Sequence, residues 1–232
     1  MRKDWNFRRV MEMAPAMRWL TPQAGERILD IGCGEGTYDY RIARRGGNVI
    51  GMDLRLDQLC KAAVYHAHEA AYLRANALEL PIKDGAFDRV VSFCVFEHLP
   101  DDRKALEEIQ RCLRPGGLLL LTLDSLSRLD VPESWRKQHR DRHSVNQFYT
   151  RATIEEKLAK QGFELLRHKY LLASPIDFYM IKLSYATDNM PKLLAHLVRT
   201  GLITVGRVLC YLLGGFKPSN YGWTLMVEAK KR

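Results

Sequence analysis

Three glycines follow a short apolar run and would let the backbone approach a ligand closely. Gly32, Gly34 and Gly36 are separated by single residues and come directly after residues 27–31. Because glycine has no side chain, we expect main-chain N–H groups of this bend to face the ligand. The pattern predicts that these glycines, with Cys33 between them, hold a nucleotide-like molecule. A plain tight turn is the alternative.

Carboxylates near the bend indicate the charge of that ligand. Asp53 comes 21 residues after Gly32, and a carboxylate at this distance can accept hydrogen bonds from both hydroxyls of a ribose. Its alternative role is to cap the next helix. Asp30 and Glu35 would repel the pyrophosphate of a dinucleotide and attract a ligand with sulfonium and ammonium groups. The spacing G-x-G-x-G, with Thr37 where a dinucleotide site has glycine, favours the cation as well.

The elements that must position these residues alternate along the chain. Short apolar runs predict strands, and the segments between them predict helices. The predicted strands are 27–31, 48–53, 72–74, 87–94 and 118–123, and the predicted helices are 37–45, 56–67, 101–113 and 154–162, with a leading helix within 1–20 that is interrupted or begins again near Pro15. Residues 114–117 are expected to end the third of these helices. This alternation predicts an α/β fold, a doubly wound and mainly parallel sheet with helices on both faces.

Several segments resemble the motifs of the class I, Rossmann-like S-adenosylmethionine-dependent methyltransferases. They follow one another in the order of that family, and their sequences look like its glycine motif, its second-strand acid and its adenine-contacting segment. The matching segments are 29–36, 51–54, 76–81, 87–91, 96–99 and 113–117. The resemblance covers about residues 24–125, and the look-alikes are small-molecule methyltransferases of the quinone and sterol type.

The resemblance implies that S-adenosylmethionine is the cofactor. It places Gly32 and Gly34 at the methionine part, Asp53 at the ribose and residues 76–78 at the adenine, although Asn76 could equally be a turn residue. The residues expected at the cofactor are Asp30, Gly32, Cys33, Gly34, Gly36, Asp53, Leu54, Asn76, Ala77, Leu78, Phe93 and His98. The family fold also implies seven strands that end in an antiparallel hairpin, here 163–172 with 222–229.

The methyl group of such a cofactor is already activated, so the protein must mainly align the acceptor and exclude water. Glu97 and His98 follow the fourth predicted strand, and Asp124 and Ser125 follow the fifth, so all four are expected at the pocket mouth. His98 is a candidate catalytic base because histidine titrates near neutral pH. The alternative is that its segment only shapes the loop.

A second group of histidines lies in the sequence His-Arg-Asp-Arg-His. His139 and His143 would share one face of a helix. A metal site needs a third ligand and the flanking arginines oppose it, so we predict no metal here. We expect residues 126–162 to cover the acceptor, with His143 and Tyr149 as further catalytic candidates.

Length and charge limit the organisation of the protein. The 232 residues predict one domain, and the net charge of +9 favours an anionic partner, although it serves solubility equally well. Five cysteines without a CxxC pair, and an N-terminus without a secretory signal, predict a cytoplasmic location. The predicted parts of the domain 1–232 are an N-terminal helical segment (1–23), a cofactor-binding core (24–125), an acceptor cover (126–162) and a C-terminal hairpin with an insertion (163–232).

The insertion, residues 190–216, is long and apolar. Its charge-free stretches, 201–206 and 208–216, are shorter than the roughly 20 residues that span a bilayer. In a helix, its polar residues would fall within an arc of roughly 100° and leave a wide apolar face; they are Lys192, His196, Arg199, Thr200 and Arg207. This is typical of a helix in a membrane interface. A lid packed on the domain, or on a homodimer partner, is the alternative.

Three functions remain open on the sequence alone. The apolar insertion favours a methyltransferase that acts on a small, apolar or lipid-like acceptor. An RNA methyltransferase is compatible with the positive charge, but the chain shows no Asn-Pro-Pro-Tyr-like motif and no Pro-Cys pair, since Cys94 follows Phe93. A binding protein that has lost catalysis is the third hypothesis. The sequence also leaves open a monomer or a homodimer.

Overall fold

A computed structural model describes residues 7–66, 68–128, 131–187, 190–212 and 219–232. Helices and strands alternate over most of this part of the chain. The helices are α1 (Phe7–Leu20), α2 (Asp39–Ala43), α3 (Leu56–His66), α4 (Asp102–Cys112), α5 (Glu133–His143), α6 (Arg151–Lys160), α7 (Pro175–Ala186) and α8 (Lys192–Leu212). The strands are β1 (Arg27–Ile31), β2 (Asn48–Asp53), β3 (Ala70–Arg74), β4 (Phe87–Phe93), β5 (Leu113–Asp124), β6 (Phe163–Leu171) and β7 (Thr224–Lys231).

The strands form one sheet in the order β3-β2-β1-β4-β5-β7-β6. Strands β1 to β5 are parallel, and β7 lies antiparallel between β5 and β6. The predicted α/β fold with a C-terminal antiparallel hairpin is therefore confirmed. From β1 the chain adds β2 and β3 on one side of the sheet, and it then adds β4 and β5 on the other side. Ligands of open α/β sheets bind at the carboxyl ends of the strands where the strand order reverses in this way, here between β1 and β4.

Hydrophobic residues cover both faces of this sheet. Leu29 and Val90 belong to one buried layer, and their neighbours Ile28 and Val91 belong to the other. All four are fully buried, as expected of strands that carry helices on both sides. The sheet is thus a rigid base, and side chains at the carboxyl ends of its strands are held in fixed positions.

Two predicted boundaries are wrong. Helix α1 runs through Pro15 without a break, because burial of Met11, Ala16 and Leu20 outweighs the hydrogen bond that proline removes. Residues 114–117 do not simply end a helix, since β5 already begins at Leu113. Its register against β4 shifts next to that start.

Helix α7 was not predicted from the sequence. It begins at a capping box in which Ser174 accepts from the amide of Asp177, with Pro175 at the first helical position. Both features are recognised start signals. The apolar side chains of α7 lack a clear period, because some pack inward and others face solvent.

The apolar insertion contains one long helix, α8, which packs against α1 and α7. Residues 213–216 of the predicted insertion lie outside the described residues. None of the helices that the structure describes is long and apolar enough to cross a bilayer.

Candidate active site

The glycine bend after β1 has a backbone that only glycine adopts easily. Gly32, Gly34 and Gly36 have φ angles of +76°, +58° and +73°, in the left-handed region that side chains disfavour. A Cβ atom on Gly32 would also lie 2.3 Å from Cγ2 of Val95. These glycines therefore set the shape of the bend and its close contact with the segment after β4.

Four amides of this bend donate within the protein, so the expectation that they present N–H groups to the ligand is wrong for these four. Gly32 and Cys33 donate to the carbonyl of Met52 at 2.7 and 3.0 Å. Gly34 donates to Oδ2 of Asp53 at 3.0 Å, and Gly36 donates to the carbonyl of Cys33 at 3.0 Å. With these four donors used internally, the bend is poorly suited to a pyrophosphate, whereas its oxygen atoms suit a cation.

Two buried carboxyl groups strengthen this preference. Asp30 and Asp39 are 1% and 0% exposed, and Oδ1 of Asp30 and both oxygens of Asp39 accept no hydrogen bond from the described residues. Burial and the neighbouring Asp39 raise the pKa of Asp30 well above its usual range, and burial raises the pKa of Asp39 to about 6. A nearby cation would stabilise their ionised forms, so these groups fit the positively charged S-adenosylmethionine.

The residues expected at the ribose and adenine lie at the ends of β2 and β3. Asp53 accepts from Gly34 and, through Oδ1, from the amide of Arg55 at 2.8 Å, so it braces two turns at once. Leu54 beside it is 60% exposed. Oδ1 of Asn76 accepts from the amide of Leu78 at 3.0 Å, which supports the turn role left open for Asn76. Ala77 is buried in the core.

We expect Asp53→Ala to weaken cofactor binding by about 1–3 kcal/mol, the usual loss for a charge-assisted hydrogen bond. The carboxylate would otherwise accept from the ribose hydroxyls, and its removal also frees the amide of Gly34. Isothermal titration calorimetry with S-adenosylmethionine measures the loss. The control is Asp57→Ala, because Asp57 is an exposed carboxylate nearby that pairs with Arg55. Equal affinities of the two variants would remove Asp53 from the site.

Phe93 and Tyr149 lie away from the cavity described below. The ring of Phe93 stacks on Tyr38 with centroids 3.9 Å apart, and only its carbonyl approaches the Nη1 atom of Arg9, at 3.5 Å. The hydroxyl of Tyr149 is buried and donates to Oδ2 of Asp102 at 2.7 Å. These contacts favour structural roles for both side chains.

A cavity of about 150 Å³ lies at the carboxyl ends of β4 and β5. Helices α1, α5 and α7 enclose it, and it adjoins the segment after β4 that contacts the glycine bend. Its lining is mostly polar: Arg8, Arg9, Cys94, Glu97, His98, Asp124, His143, Ile181, Ser184 and Tyr185. Of the candidates from the sequence, Glu97, His98, Asp124 and His143 meet here, whereas Ser125 is buried outside the lining.

Arg8 of α1 holds the acids of this cavity together. Its guanidinium donates to Oδ1 of Asp124, to Oε1 of Glu12 at 2.8 Å and to Sγ of Cys94 at 2.8 Å. Cys94 has a φ of +55°, a strained angle for a residue with a side chain. Its thiol pKa is raised, chiefly by burial, so it is not an activated nucleophile. Cys94, Glu97 and Asp124 are close enough together to hold a metal ion, and the guanidinium of Arg8 contacts all three.

Asp124 and Tyr185 of the cavity lining hold a buried histidine between them. Its Oδ2 lies 2.6 Å from Nε2 of His139, and the hydroxyl of Tyr185 lies 3.3 Å from Nδ1 of the same ring. Burial alone would raise the pKa of Asp124, but Arg8 and His139 outweigh it and hold that pKa below its usual range. An ionised Asp124 only accepts, so Nε2 carries the proton and Nδ1 accepts from Tyr185. The three side chains form one hydrogen-bonded chain that ends at the cavity.

Glu97 and the two outer histidines complete the lining. Glu97 is 0% exposed, and neither carboxyl oxygen has a hydrogen-bond partner among the described residues. Burial and the nearby Asp124 raise its pKa well above the usual range. Partial burial and the neighbouring His139 lower the pKa of His143 to about 4. Burial also lowers the pKa of His98, whose Nδ1 lies 3.3 Å from the carbonyl of Ser144.

Sequence reasoning missed Arg8, Ser184 and Tyr185, and it placed His139 in the acceptor cover without a catalytic role. One signal was available, because Arg8 and Glu12 are spaced as an ion pair on one helical face. No spacing rule connects α1 or α7 with the end of β5. These residues meet only through tertiary packing.

Comparisons with known proteins relate the chain to a family. A family model described as a methyltransferase domain matches residues 29–121. A ubiquinone biosynthesis O-methyltransferase from Azorhizobium caulinodans is 30% identical over an alignment of 170 positions, which covers 68% of this chain and 67% of that protein. The chain belongs to the class I S-adenosylmethionine-dependent methyltransferases. O-methyltransferase resE from Aspergillus sclerotiorum is 33% identical over 156 residues, 63% of this methyltransferase and 58% of that protein.

A solved structure shows the same fold. Phosphoethanolamine N-methyltransferase 2 of Haemonchus contortus, in complex with S-adenosylmethionine, superposes with a TM-score of 0.71 at 21% identity, covering 95% of this methyltransferase and 52% of that chain. This methyltransferase spans about half of the length of several curated relatives that it matches, between 34% and 59% for five of them. S-adenosylmethionine is the cofactor of the family.

Proposed function

We propose that the protein transfers a methyl group from S-adenosylmethionine to an oxygen atom of a small molecule. The observation that carries the proposal is the hydrogen-bonded chain of Asp124, His139 and Tyr185, which ends at the cavity beside the glycine bend. The names of the relatives that denote O-methylation support an oxygen acceptor. When bound, the cofactor supplies a methyl group already activated by its sulfonium.

The acceptor oxygen must lose a proton as the new bond forms. We infer that this proton passes to the oxygen of Tyr185 while the proton of Tyr185 passes to Nδ1 of His139. The resulting imidazolium is stabilised by the ionised Asp124. Glu97 accepts no hydrogen bond from the described residues, although Oε1 lies 3.9 Å from Nη2 of Arg8, and it would orient the acceptor through a hydrogen bond. His98 and His143 line the same cavity and stay candidates for contacts with the acceptor.

The cavity limits the part of the acceptor that reacts. About 150 Å³ holds only a few groups, and the ionisable lining favours a polar hydroxyl or carboxyl end. An apolar remainder, as favoured by the sequence, would have to lie outside this lining. We therefore propose a small acceptor with a polar reacting end and an apolar body.

Radiolabelled cofactor identifies the acceptor class. The protein is incubated with labelled S-adenosylmethionine and with separate lipid, RNA and protein fractions, and the label in each is counted. We expect label in an organic-soluble small molecule. Resistance of that label to alkali would indicate a methyl ether, and its release would indicate an ester. Label in RNA alone would support the RNA methyltransferase instead, and no transfer with retained cofactor binding would support a binding protein.

We expect cofactor binding to release protons. The pKa of Asp30 is raised and that of Asp39 is about 6 in the protein without ligand, and a bound cation would lower both. Affinity should therefore rise as pH increases through about 6, by at most about tenfold per pH unit for one proton. Arg9 partly opposes the shift of Asp30, and Asp53 adds to it.

Calorimetry in two buffers with different ionisation enthalpies counts these protons. Asp39→Asn is the comparison variant, because it removes the like-charged neighbour of Asp30 and should reduce the proton release. A binding enthalpy that is identical in both buffers would contradict the prediction.

A further inference from the structure

Helices α7 and α8 present an apolar surface to solvent, called here the outer face. Its exposed side chains are Tyr179, Leu183, Leu193, Leu194, Leu197, Val205 and Val208. Leu193 and Leu197 are 75% and 62% exposed. Large exposed apolar patches on proteins mark interaction surfaces.

Only one stripe of α8 packs against the protein. Ala195, Ile203 and Gly206 are buried, and a Cβ on Gly206 would lie 2.5 Å from the ring of Phe7 and 2.7 Å from Cε of Met180. This contact is as close as the helices can come, so α8 cannot rotate to bury the opposite side. The outer face is therefore a fixed feature of the fold.

The exposed side of α8 is free of charged residues over a wide arc. At 3.6 residues per turn, most of its exposed positions between 193 and 208 fall within roughly 120°. The positions within this arc are Leu193, Leu194, Leu197, Gly201, Thr204, Val205 and Val208, and the exposed His196 and Thr200 lie beside it. The predicted polar arc of α8 lies beside this surface, not across it.

The exposed charges that α7 and α8 contribute to the outer face, among the residues described, have one sign. The only acid in the sequences of α7 and α8 is Asp177, which is 1% exposed and bonded to Ser174. Lys182 is exposed, with its Nζ 4.4 Å from the ring centre of Trp135, and His196 is exposed on α8. An apolar face whose described helix residues include an exposed lysine and no exposed carboxylate complements an anionic bilayer.

We propose that the outer face docks on an anionic phospholipid surface, with α7 and α8 lying in the interface. A second copy of the chain fits less well, because its exposed lysine would meet a face with charge of the same sign. The inner side of α7 contributes Ile181, Ser184 and Tyr185 to the cavity, so docking places the cavity one helix away from the lipid. The inference does not depend on the reaction proposed above.

Vesicle sedimentation tests the docking. The full chain is mixed with phosphatidylcholine vesicles, with and without phosphatidylglycerol, at low and high salt. We expect binding that needs the anionic lipid and weakens with salt. Leu193→Glu/Leu197→Glu should lower partitioning roughly tenfold or more, because two charges would enter the interface.

The matched control is Leu56→Glu/Val64→Glu, which changes two exposed apolar residues of α3 and should bind like the unchanged chain. Leu193→Gln/Leu197→Gln repeats the test without added charge, and circular dichroism melts verify folding. The proposal fails if the unchanged chain ignores anionic vesicles, or if both outer-face variants bind them equally well. A dimer in sedimentation velocity that the outer-face variants dissociate would assign the face to a second copy.

Discussion

His139→Gln should lower kcat roughly 100- to 10,000-fold on the acceptor that takes the label, the range associated with loss of a general base. Glutamine keeps a polar side chain next to Asp124 but cannot take up the proton that Tyr185 passes on. His139 touches no residue of the glycine bend among the contacts described, so the affinity for S-adenosylmethionine should stay within about twofold. Initial rates and calorimetry on the same preparations measure both quantities.

Two comparisons make this result specific. His168→Gln changes a histidine of β6 outside the cavity lining and should leave kcat unchanged. Tyr185→Phe interrupts the same chain one step nearer the acceptor and should also lower kcat strongly. If His139→Gln kept its rate within a few fold, the proton would not pass through this chain, and Glu97 would become the better candidate for the base.

Gly32→Ala should weaken cofactor binding roughly tenfold to a hundredfold, corresponding to the 1–3 kcal/mol expected of an overpacked contact. The added methyl group would stand 2.3 Å from Cγ2 of Val95. Cγ1 and Cβ of Val95 would also lie 3.0 and 3.2 Å away, so rotation of the valine side chain does not relieve the clash, and the amide of Gly32 is bound to Met52. The bend or the segment after β4 must therefore shift where the cofactor lies.

Gly25→Ala separates this clash from backbone strain. Gly25 has a φ of +82°, close to the +76° of Gly32, but a Cβ there meets no atom within 4 Å. Both variants should lose about 1–2 kcal/mol of stability in urea unfolding from the left-handed backbone, and Gly32→Ala should lose more. Only Gly32→Ala should lose cofactor affinity. Equal affinities would mean that the bend tolerates a side chain at Gly32.

The fold followed from sequence wherever local patterns carry the structure. Continuous apolar runs identify β1, β2 and β4, since strands buried on both faces need no alternation. The break predicted at Pro15 failed because tertiary packing overrides a local preference. Helix α7 was not predicted because apolar residues such as Tyr179 and Leu183 also occupy its solvent-exposed side. They obscure the helical period of its buried residues.

The candidate site, too, could be predicted from sequence only where local patterns determine it. The glycine bend and Asp53 could be placed because they lie in fixed order next to strand ends. The direction in which the amides of the bend point could not be predicted, because the carbonyl of Met52 reaches the bend only through the pairing of β1 with β2. Arg8 and Asp124 are 116 residues apart, and no short-range pattern relates positions at that distance.

The place of β7 between β5 and β6 has a consequence for the order in which the chain matures on the ribosome. Strand β6 ends at Leu171 and has no neighbour in the sheet until Thr224–Lys231 emerges. Thr224 then also donates to Glu12, which holds Arg8 at the cavity. A nascent chain that already contains every cofactor-binding motif thus still lacks this contact, and an arrested translation product would expose an unpaired strand edge prone to aggregation.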